Sequence, residues 1–160
     1  MRRFLFRTAA AMAALLGGVS LAGADGPRER DVLEAVFRQQ IQEHLDASER
    51  ARGTVVCVGV DAGVGGATAA TDLVARLASD KAVRRLAECE RRAEGAVEVA
   101  TSKAAFMVTA GPIEWVAADE AWVTVNYYRT KLLSAKRRYR VVHDRSGWVS
   151  LGPIMKDGPA

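Results

Sequence analysis

Hydrophobic and polar residues alternate between Phe106 and Val149, and short turn motifs divide this stretch into extended segments. The segments are residues 106–110, 113–117, 121–128 and 138–142, and Gly111 with Pro112 separates the first from the second. All three tryptophans and all three tyrosines of the chain lie within this stretch, where they can bury much apolar area on one sheet face. The pattern predicts an antiparallel β-meander.

Apolar residues recur at helical spacing in the stretch before the meander, and Gly26 with Pro27 suits a helix start. The predicted inner face of this helix consists of Leu33, Val36, Phe37, Ile41 and Leu45. A polar stretch that ends at Gly53 predicts the end of the helix, and residues 54–60 are almost all β-branched and predict a strand.

Residues 61–70 are rich in Gly and Ala and predict a loop, which a short helix from Thr71 follows. Residues 79–92 are highly charged and have helical spacing, and residues 95–100 alternate like a strand. We therefore expect an α+β domain, with the N-terminal helix packed on a curved antiparallel sheet. The second short helix is expected between the first strand and the meander.

The first 24 residues have the layout of a secretory signal peptide. Arg2, Arg3 and Arg7 precede an apolar run, and small residues predict cleavage after Ala24 or Ala22. The run is too short and too rich in Gly and Ala to favour a membrane-anchoring helix. The paired arginines also fit a twin-arginine signal, although Met1 stands where that signal usually has Ser or Thr, so we favour the general secretory route.

Export changes the meaning of the net charge of +4. Without the three arginines of the signal peptide, 23 minus 3 leaves 20 basic residues against 19 acidic ones, a net charge of +1. This balance argues against a nucleic-acid partner. We expect residues 25–160 to form a single domain in the periplasm or outside the cell, with no integral membrane segment after cleavage.

The chain has two cysteines, Cys57 and Cys89, and both follow the signal peptide. An even number of cysteines in an oxidising compartment indicates a disulfide. Closing a loop of about 33 residues would stabilise the fold by roughly 3 to 4 kcal/mol. The alternative is a pair of buried free thiols, because cysteine is among the most buried residue types.

Motifs for cofactor binding or catalysis are weak in this sequence. Residues 63–68 read Gly-Val-Gly-Gly-Ala-Thr and resemble a dinucleotide-binding turn, but no further βα units follow, so we interpret them as a surface loop. His44 lies at the edge of the apolar helix face, and His143 and Asp144 are neighbours that point to opposite faces of a strand. We predict no catalytic residue, no metal site and no cofactor.

The longest predicted strand offers one candidate binding surface. Trp122, Asn126 and Tyr128 fall on the same face of it and could line a cleft whose rim carries Asp119 or Asp144. A carboxylate in an apolar cleft can have a raised pKa and act as a base. The alternative, which we favour, is that these residues form the solvent side of a half-buried strand.

Six cations cluster near the end of the meander, and they are Lys131, Lys136, Arg137, Arg138, Arg140 and Arg145. Such a stripe could meet an acidic partner or an anionic lipid of the cell envelope. The alternative, which we favour, is an exposed strand whose charges prevent edge-to-edge pairing with other chains.

Several short motifs occur in an order that resembles a group of uncharacterised exported bacterial proteins with an NTF2-like (cystatin-like) α+β shape. The motifs include Ala-Val-Phe-Arg-Gln-Gln at residues 35–40, Ala-Glu-Cys-Glu at 87–90, Gly-Pro-Ile-Glu-Trp at 111–115 and Val-Thr-Val-Asn-Tyr-Tyr at 123–128. The resemblance covers most of residues 32–149 and implies that Cys57 and Cys89 are recurring positions, which favours their pairing. The Gly- and Ala-rich insertion at residues 61–71 departs from the pattern. The resemblance implies no activity.

Three functions are consistent with these patterns. The first is a non-enzymatic exported module that binds a small apolar ligand or another envelope protein. The second is a small enzyme of isomerase or hydrolase type that uses a carboxylate in the sheet cleft. The third is a structural module that forms a homodimer through its sheet face.

Overall fold

The computed structural model describes residues 26–61 and 66–154 of the chain. The predicted signal peptide lies outside the described residues, as do residues 63–65 of the glycine-rich motif. Residues 66–70 form the start of a helix and not the predicted loop, so this helix begins five residues before Thr71. The helices are α1 (Gly26–His44), α2 (Ala47–Ala51) and α3 (Gly66–Leu77). The strands are β1 (Val55–Val60), β2 (Val83–Arg85), β3 (Cys89–Arg91), β4 (Ala96–Glu98), β5 (Ala105–Ala117), β6 (Glu120–Tyr128), β7 (Ser134–Asp144) and β8 (Gly147–Pro153).

Six strands form one strongly curled sheet in the order β2-β1-β5-β6-β7-β8, and β3 pairs with β4 in a separate hairpin. Strand β1 runs parallel to both β2 and β5, while β5 to β8 form the predicted antiparallel meander. The α+β class is therefore confirmed, but the prediction of a purely antiparallel sheet is wrong. The unbroken apolar run of β1 is typical of a parallel strand buried on both faces, and α3 supplies the crossover that parallel strands need.

The predicted turn at Gly111 and Pro112 is instead part of one continuous strand, β5. The pairing register between β5 and β6 shifts between Ala110 and Ile113, which identifies a bulge at this point. A bulge leaves an extra residue unpaired, so it accommodates a proline that cannot donate to the ladder. The Gly-Pro signal therefore marks a bend within the strand.

The helix that the spacing of residues 79–92 indicated is also wrong. This segment forms the short strand β2, a single 3₁₀ turn at Leu86–Glu88 and strand β3. Pairing of Val83 with Val56 and of Cys89 with Glu98 holds it extended. Tertiary pairing thus overrides the local helical pattern here.

The concave side of the sheet is filled by the predicted apolar face of α1. Phe37 is completely buried, and it belongs to one continuous core with Val123, Val125 and Tyr139 of the sheet. Helix α1 ends at His44, where the Asp46 side chain accepts a hydrogen bond of 2.8 Å from the Glu49 amide and starts α2.

A second, smaller apolar cluster lies on the opposite face of the sheet. Cys57 of β1 and Cys89 of β3 form a disulfide in it, with their Cα atoms 6.3 Å apart. The bond attaches the β3–β4 hairpin to the main sheet. Val55, Ala96 and Ala105 complete the cluster, and Tyr128 packs against its edge.

Candidate functional site

The residues predicted to line a cleft lie on the sheet face that points away from α1. Along β6 they alternate with Ala121, Val123 and Val125, which are completely buried beneath α1. The Asn126 amide donates to the Thr109 hydroxyl over 3.4 Å, and Tyr128 lies beneath the Arg91 guanidinium, whose central carbon is 4.2 Å from the ring centre.

Trp122 is separated from the other two predicted residues. Its indole N–H donates to the Glu120 carboxylate over 3.3 Å, and the Arg138 guanidinium lies 5.2 Å from its ring centre. Asn126 and Tyr128 line an open depression of about 470 Å³ at one end of the sheet, whereas Trp122 lies four residues away, roughly 13 Å along the strand. The structure does not bring the three side chains into one cleft.

The opposite end of the sheet carries a cluster that we name the aromatic end, and its members are Arg28, Trp115, His143 and Trp148. The two indole rings meet edge to face with their centres 5.6 Å apart, and the His143 ring lies 5.2 Å from that of Trp148. The Arg28 guanidinium lies 3.9 Å from the centre of the Trp115 ring and 5.4 Å from that of Trp148.

The first turns of α1 hold this cluster against the loops of the meander. Arg28 donates a hydrogen bond to the carbonyl of Ala118 in the β5–β6 turn. The His143 amide donates to the Asp119 carbonyl over 2.8 Å, which joins the same turn to β7. The aromatic end is therefore built from segments far apart in the sequence, and it is fixed at two points.

Two adjoining open depressions cover the aromatic end, and both are lined by Asp31, His143 and Trp148. The Arg76 guanidinium of α3 forms an ion pair with the Asp31 carboxylate, with nitrogen and oxygen 2.6 Å apart. The surface thus combines two tryptophans, an imidazole, a guanidinium and carboxylates. This set can bind a mixed apolar and polar surface.

Asp144, one of the two carboxylates proposed for the rim of a cleft, lacks the raised pKa expected of a general base. Asp144 caps the β7–β8 turn, where the hydroxyl and amide of Ser146 both donate to it and lower its pKa. Asp119 lines one of the depressions at the aromatic end. Throughout the described residues, every carboxyl group whose pKa departs from its ordinary value is shifted down: Glu49, Asp80, Glu98, Glu120 and Asp144.

Glu49 is one of the two buried carboxylates in this set, with 7% of the residue exposed, and the other is Glu98. Burial opposes its ionisation, but the Thr54 hydroxyl and the guanidinium groups of Arg52 and Arg129 donate to it over 2.6, 2.6 and 2.8 Å. Together these hydrogen bonds lower the pKa of Glu49 to about 2. Its role in the fold is to connect α2 to β1 and to the β6–β7 loop.

His44 lies at the C-terminal end of α1, away from the aromatic end. Its ring stacks on Phe106 at 4.9 Å and meets Tyr127 at the same distance. Burial lowers its pKa, and the cations Arg137 and Arg129 lower it further, against an opposing effect of Glu43. The half-buried ring is thus held neutral, in agreement with the prediction of a packed residue at the edge of the core.

Sequence reasoning singled out His143 but missed the residues around it. Arg28 and Ala118 are 90 positions apart, and no spacing rule relates such distant residues. The one available signal was Trp115, a large aromatic residue near the end of a strand at a turn. Aromatic residues at strand ends are candidates for surface clusters of this kind.

No group of three His, Cys, Asp or Glu residues within the described ranges is arranged to hold a metal ion. The helices in the described part of the chain include none that is long and apolar enough to cross a membrane. Comparison with known proteins found no matching family model, no matching curated protein and no matching solved structure.

Proposed function

We propose that this chain is an exported, non-enzymatic binding module of NTF2-like shape that binds another protein of the cell envelope through its aromatic end. One observation carries the proposal: α1 fills the concave side of the sheet, while Trp115 and Trp148 pack against the edge of this core and stay only partly buried, with Trp148 lining both open depressions. A binding function then depends on a surface contact, which favours a macromolecular partner over an enclosed ligand.

The composition of the aromatic end supports a protein partner. Trp and Arg are the residue types that most often dominate the binding energy of protein interfaces, together with Tyr. Arg28 is already held in place by the rings of Trp115 and Trp148 and by the Ala118 carbonyl, so it would lose little side-chain freedom on binding. An ordered surface of this kind binds with a smaller entropic cost.

A small apolar ligand is less well supported. An NTF2-like pocket would lie between α1 and the sheet, where Phe37 and Tyr139 are buried among the valines of the core. The enzyme hypothesis required a carboxylate with a raised pKa, and the shifts of Asp144 and Glu49 go in the opposite direction.

A homodimer through the sheet face is also less well supported. The exposed face of β6 and β7 carries two ion pairs, Arg138 with Glu114 at 3.6 Å and Arg140 with Glu120 at 2.8 Å. Charged residues are depleted from the centre of stable interfaces, so this face is poorly suited to permanent burial.

Export is supported by two features. The disulfide between Cys57 and Cys89 would persist in an oxidising compartment, and the first 24 residues have the layout of a signal peptide. A periplasmic or secreted location is therefore part of the proposal.

The test is site-specific photo-crosslinking in cells that produce the chain. A photoreactive residue in place of His143 is expected to give a discrete product with one envelope protein, and Trp148→Ala should abolish that product. The matched control places the same residue at Thr124, at the middle of the outer sheet face, where no product is expected. Equal labelling from both positions, or an apolar molecule that copurifies with the chain in native mass spectrometry, would contradict the proposal.

A further inference from the structure

The hairpin loop between β6 and β7 exposes two consecutive leucines. Leu132 is 95% exposed and Leu133 is 53% exposed. They lie at the tip of the hairpin, at the end of the sheet opposite the aromatic end. Exposed apolar side chains that lie next to each other mark an interaction site more often than single ones do.

Hydrogen bonds hold the base of this loop in a fixed position. The Arg129 amide donates to the Leu133 carbonyl over 2.9 Å, and the Leu133 amide donates to the Thr130 carbonyl over 3.1 Å. The Arg129 carbonyl accepts a bond of 2.7 Å from the Ala96 amide of β4, and its guanidinium is paired with Glu49. The leucines are therefore presented to solvent by an ordered turn.

Three cations surround the depression beside the tip. Arg91, Lys131 and Lys136 line it together with Asn126 and Tyr128, and no carboxylate contributes to its lining. Among the described residues, none of the three cations forms an ion pair, whereas Arg138 and Arg140 further along β7 are paired with glutamates. On β7, Lys136 near the leucines thus has no ion-pair partner among the described residues, whereas Arg138 and Arg140 further along the strand are neutralised by glutamates.

We propose that this tip binds the surface of an anionic phospholipid bilayer. Leu132 and Leu133 enter the boundary between headgroups and acyl chains, while Arg91, Lys131 and Lys136 bind the lipid phosphates. Stable attachment of a peripheral protein needs two signals, and the tip combines an apolar insertion with a basic patch. A protruding apolar tip fits a deformable bilayer, because a folded protein partner would have to supply a matching pocket.

This inference goes beyond the proposed function and uses different residues. Strand β6 separates the tip from the aromatic end by about 26 Å, eight residues of extended chain. It also assigns a partner to Lys131 and Lys136, for which the sequence favoured the prevention of edge pairing.

The test is cosedimentation with lipid vesicles, using the mature, oxidised chain purified from the cells that export it. Vesicles of phosphatidylethanolamine with phosphatidylglycerol are expected to bind the chain, and vesicles of phosphatidylcholine alone are expected not to. Each cation at an anionic surface strengthens binding about fivefold, so Lys131→Gln with Lys136→Gln should weaken it about 25-fold. Leu132→Ser with Leu133→Ser should weaken it about tenfold or more.

Matched controls separate a local contact from a general effect of charge or hydrophobicity. Lys81→Gln with Lys103→Gln removes two lysines that line a different depression, and Leu151→Ser removes another exposed leucine. Both controls should bind vesicles as the unmodified chain does, and thermal unfolding of every variant should match it.

Three results would overturn the proposal. One is the absence of binding to anionic vesicles, which would leave an acidic protein as the partner of these cations. Another is an equal loss of binding in the control variants. The third is displacement of the chain from vesicles when inorganic phosphate replaces chloride at constant ionic strength. This result would identify a soluble anion as the ligand.

Discussion

The Arg129 guanidinium donates to the Glu49 carboxylate over 2.8 Å and thereby links helix α2 to the β6–β7 loop, 80 residues further along the chain. The same carboxylate also accepts from Thr54 and Arg52. One buried acid thus organises three separate segments at this end of the sheet. Its contribution should be visible in the stability of the whole domain.

We expect Glu49→Gln to lower the free energy of unfolding at pH 7 by about 2 to 3 kcal/mol. The pKa of Glu49 falls from 4.5 to about 2 on folding, so its stabilisation is complete above pH 4.5 and is lost as the pH falls through 2. Urea unfolding at pH 7 and at low pH measures the free energy of unfolding of Glu49→Gln and of the unmodified chain. The difference between these two free energies should shrink at low pH. Glu90→Gln, at an exposed ion pair, is the control and should change stability by less than about 0.5 kcal/mol.

The disulfide should contribute about 3 to 4 kcal/mol to stability, because it closes a loop with a sequence separation of 32 residues. Urea unfolding of Cys57→Ala with Cys89→Ala, compared with the unmodified chain, measures this loss. Thiol titration of the unreduced, denatured chain should find no free thiol. Two reactive thiols in that titration would show that the bond does not form.

Gly95→Ala should be far more destabilising than Gly147→Ala. Both glycines have positive φ angles, +147° and +115°, so both substitutions strain the backbone. A Cβ at Gly95 would lie only 2.6 Å from the Arg129 carbonyl oxygen, whereas a Cβ at Gly147 meets open space. We expect an extra loss of about 1 to 3 kcal/mol for Gly95→Ala in urea unfolding, and similar losses for the two variants would contradict the close approach.

His44 should make stability fall as the pH drops below 6.5. Burial lowers the pKa of its imidazole in the folded state, so the unfolded chain binds the proton more readily and stability decreases with acidification. His44→Phe keeps the ring stacking on Phe106 and Tyr127 but removes the titrating group. Between pH 7 and 5 this variant should lose less stability than the unmodified chain, and parallel losses would show that His44 titrates normally.

Local spacing was sufficient where a single element faces one core. Leu33, Val36 and Phe37 recur at helical intervals, and they are buried on one side of α1. It failed where distant segments decide the outcome: residues 83–85 are a strand because β1 lies beside them, and Pro112 is tolerated within β5 because a bulge frees it from the ladder. The aromatic end could not be predicted for the same reason, since Arg28 reaches Trp115 only after the sheet curls around α1.

The hydrogen bond from the Ala96 amide to the Arg129 carbonyl links formation of the disulfide to the position of the β6–β7 loop. Ala96 belongs to the hairpin that the disulfide attaches to the sheet, and Arg129 begins the loop that carries the exposed leucines. We therefore expect the loop to reach its final position only after the cysteines have paired. In a reducing compartment the loop that carries the two leucines would be less ordered. The membrane-binding tip would therefore be complete only after export to an oxidising compartment.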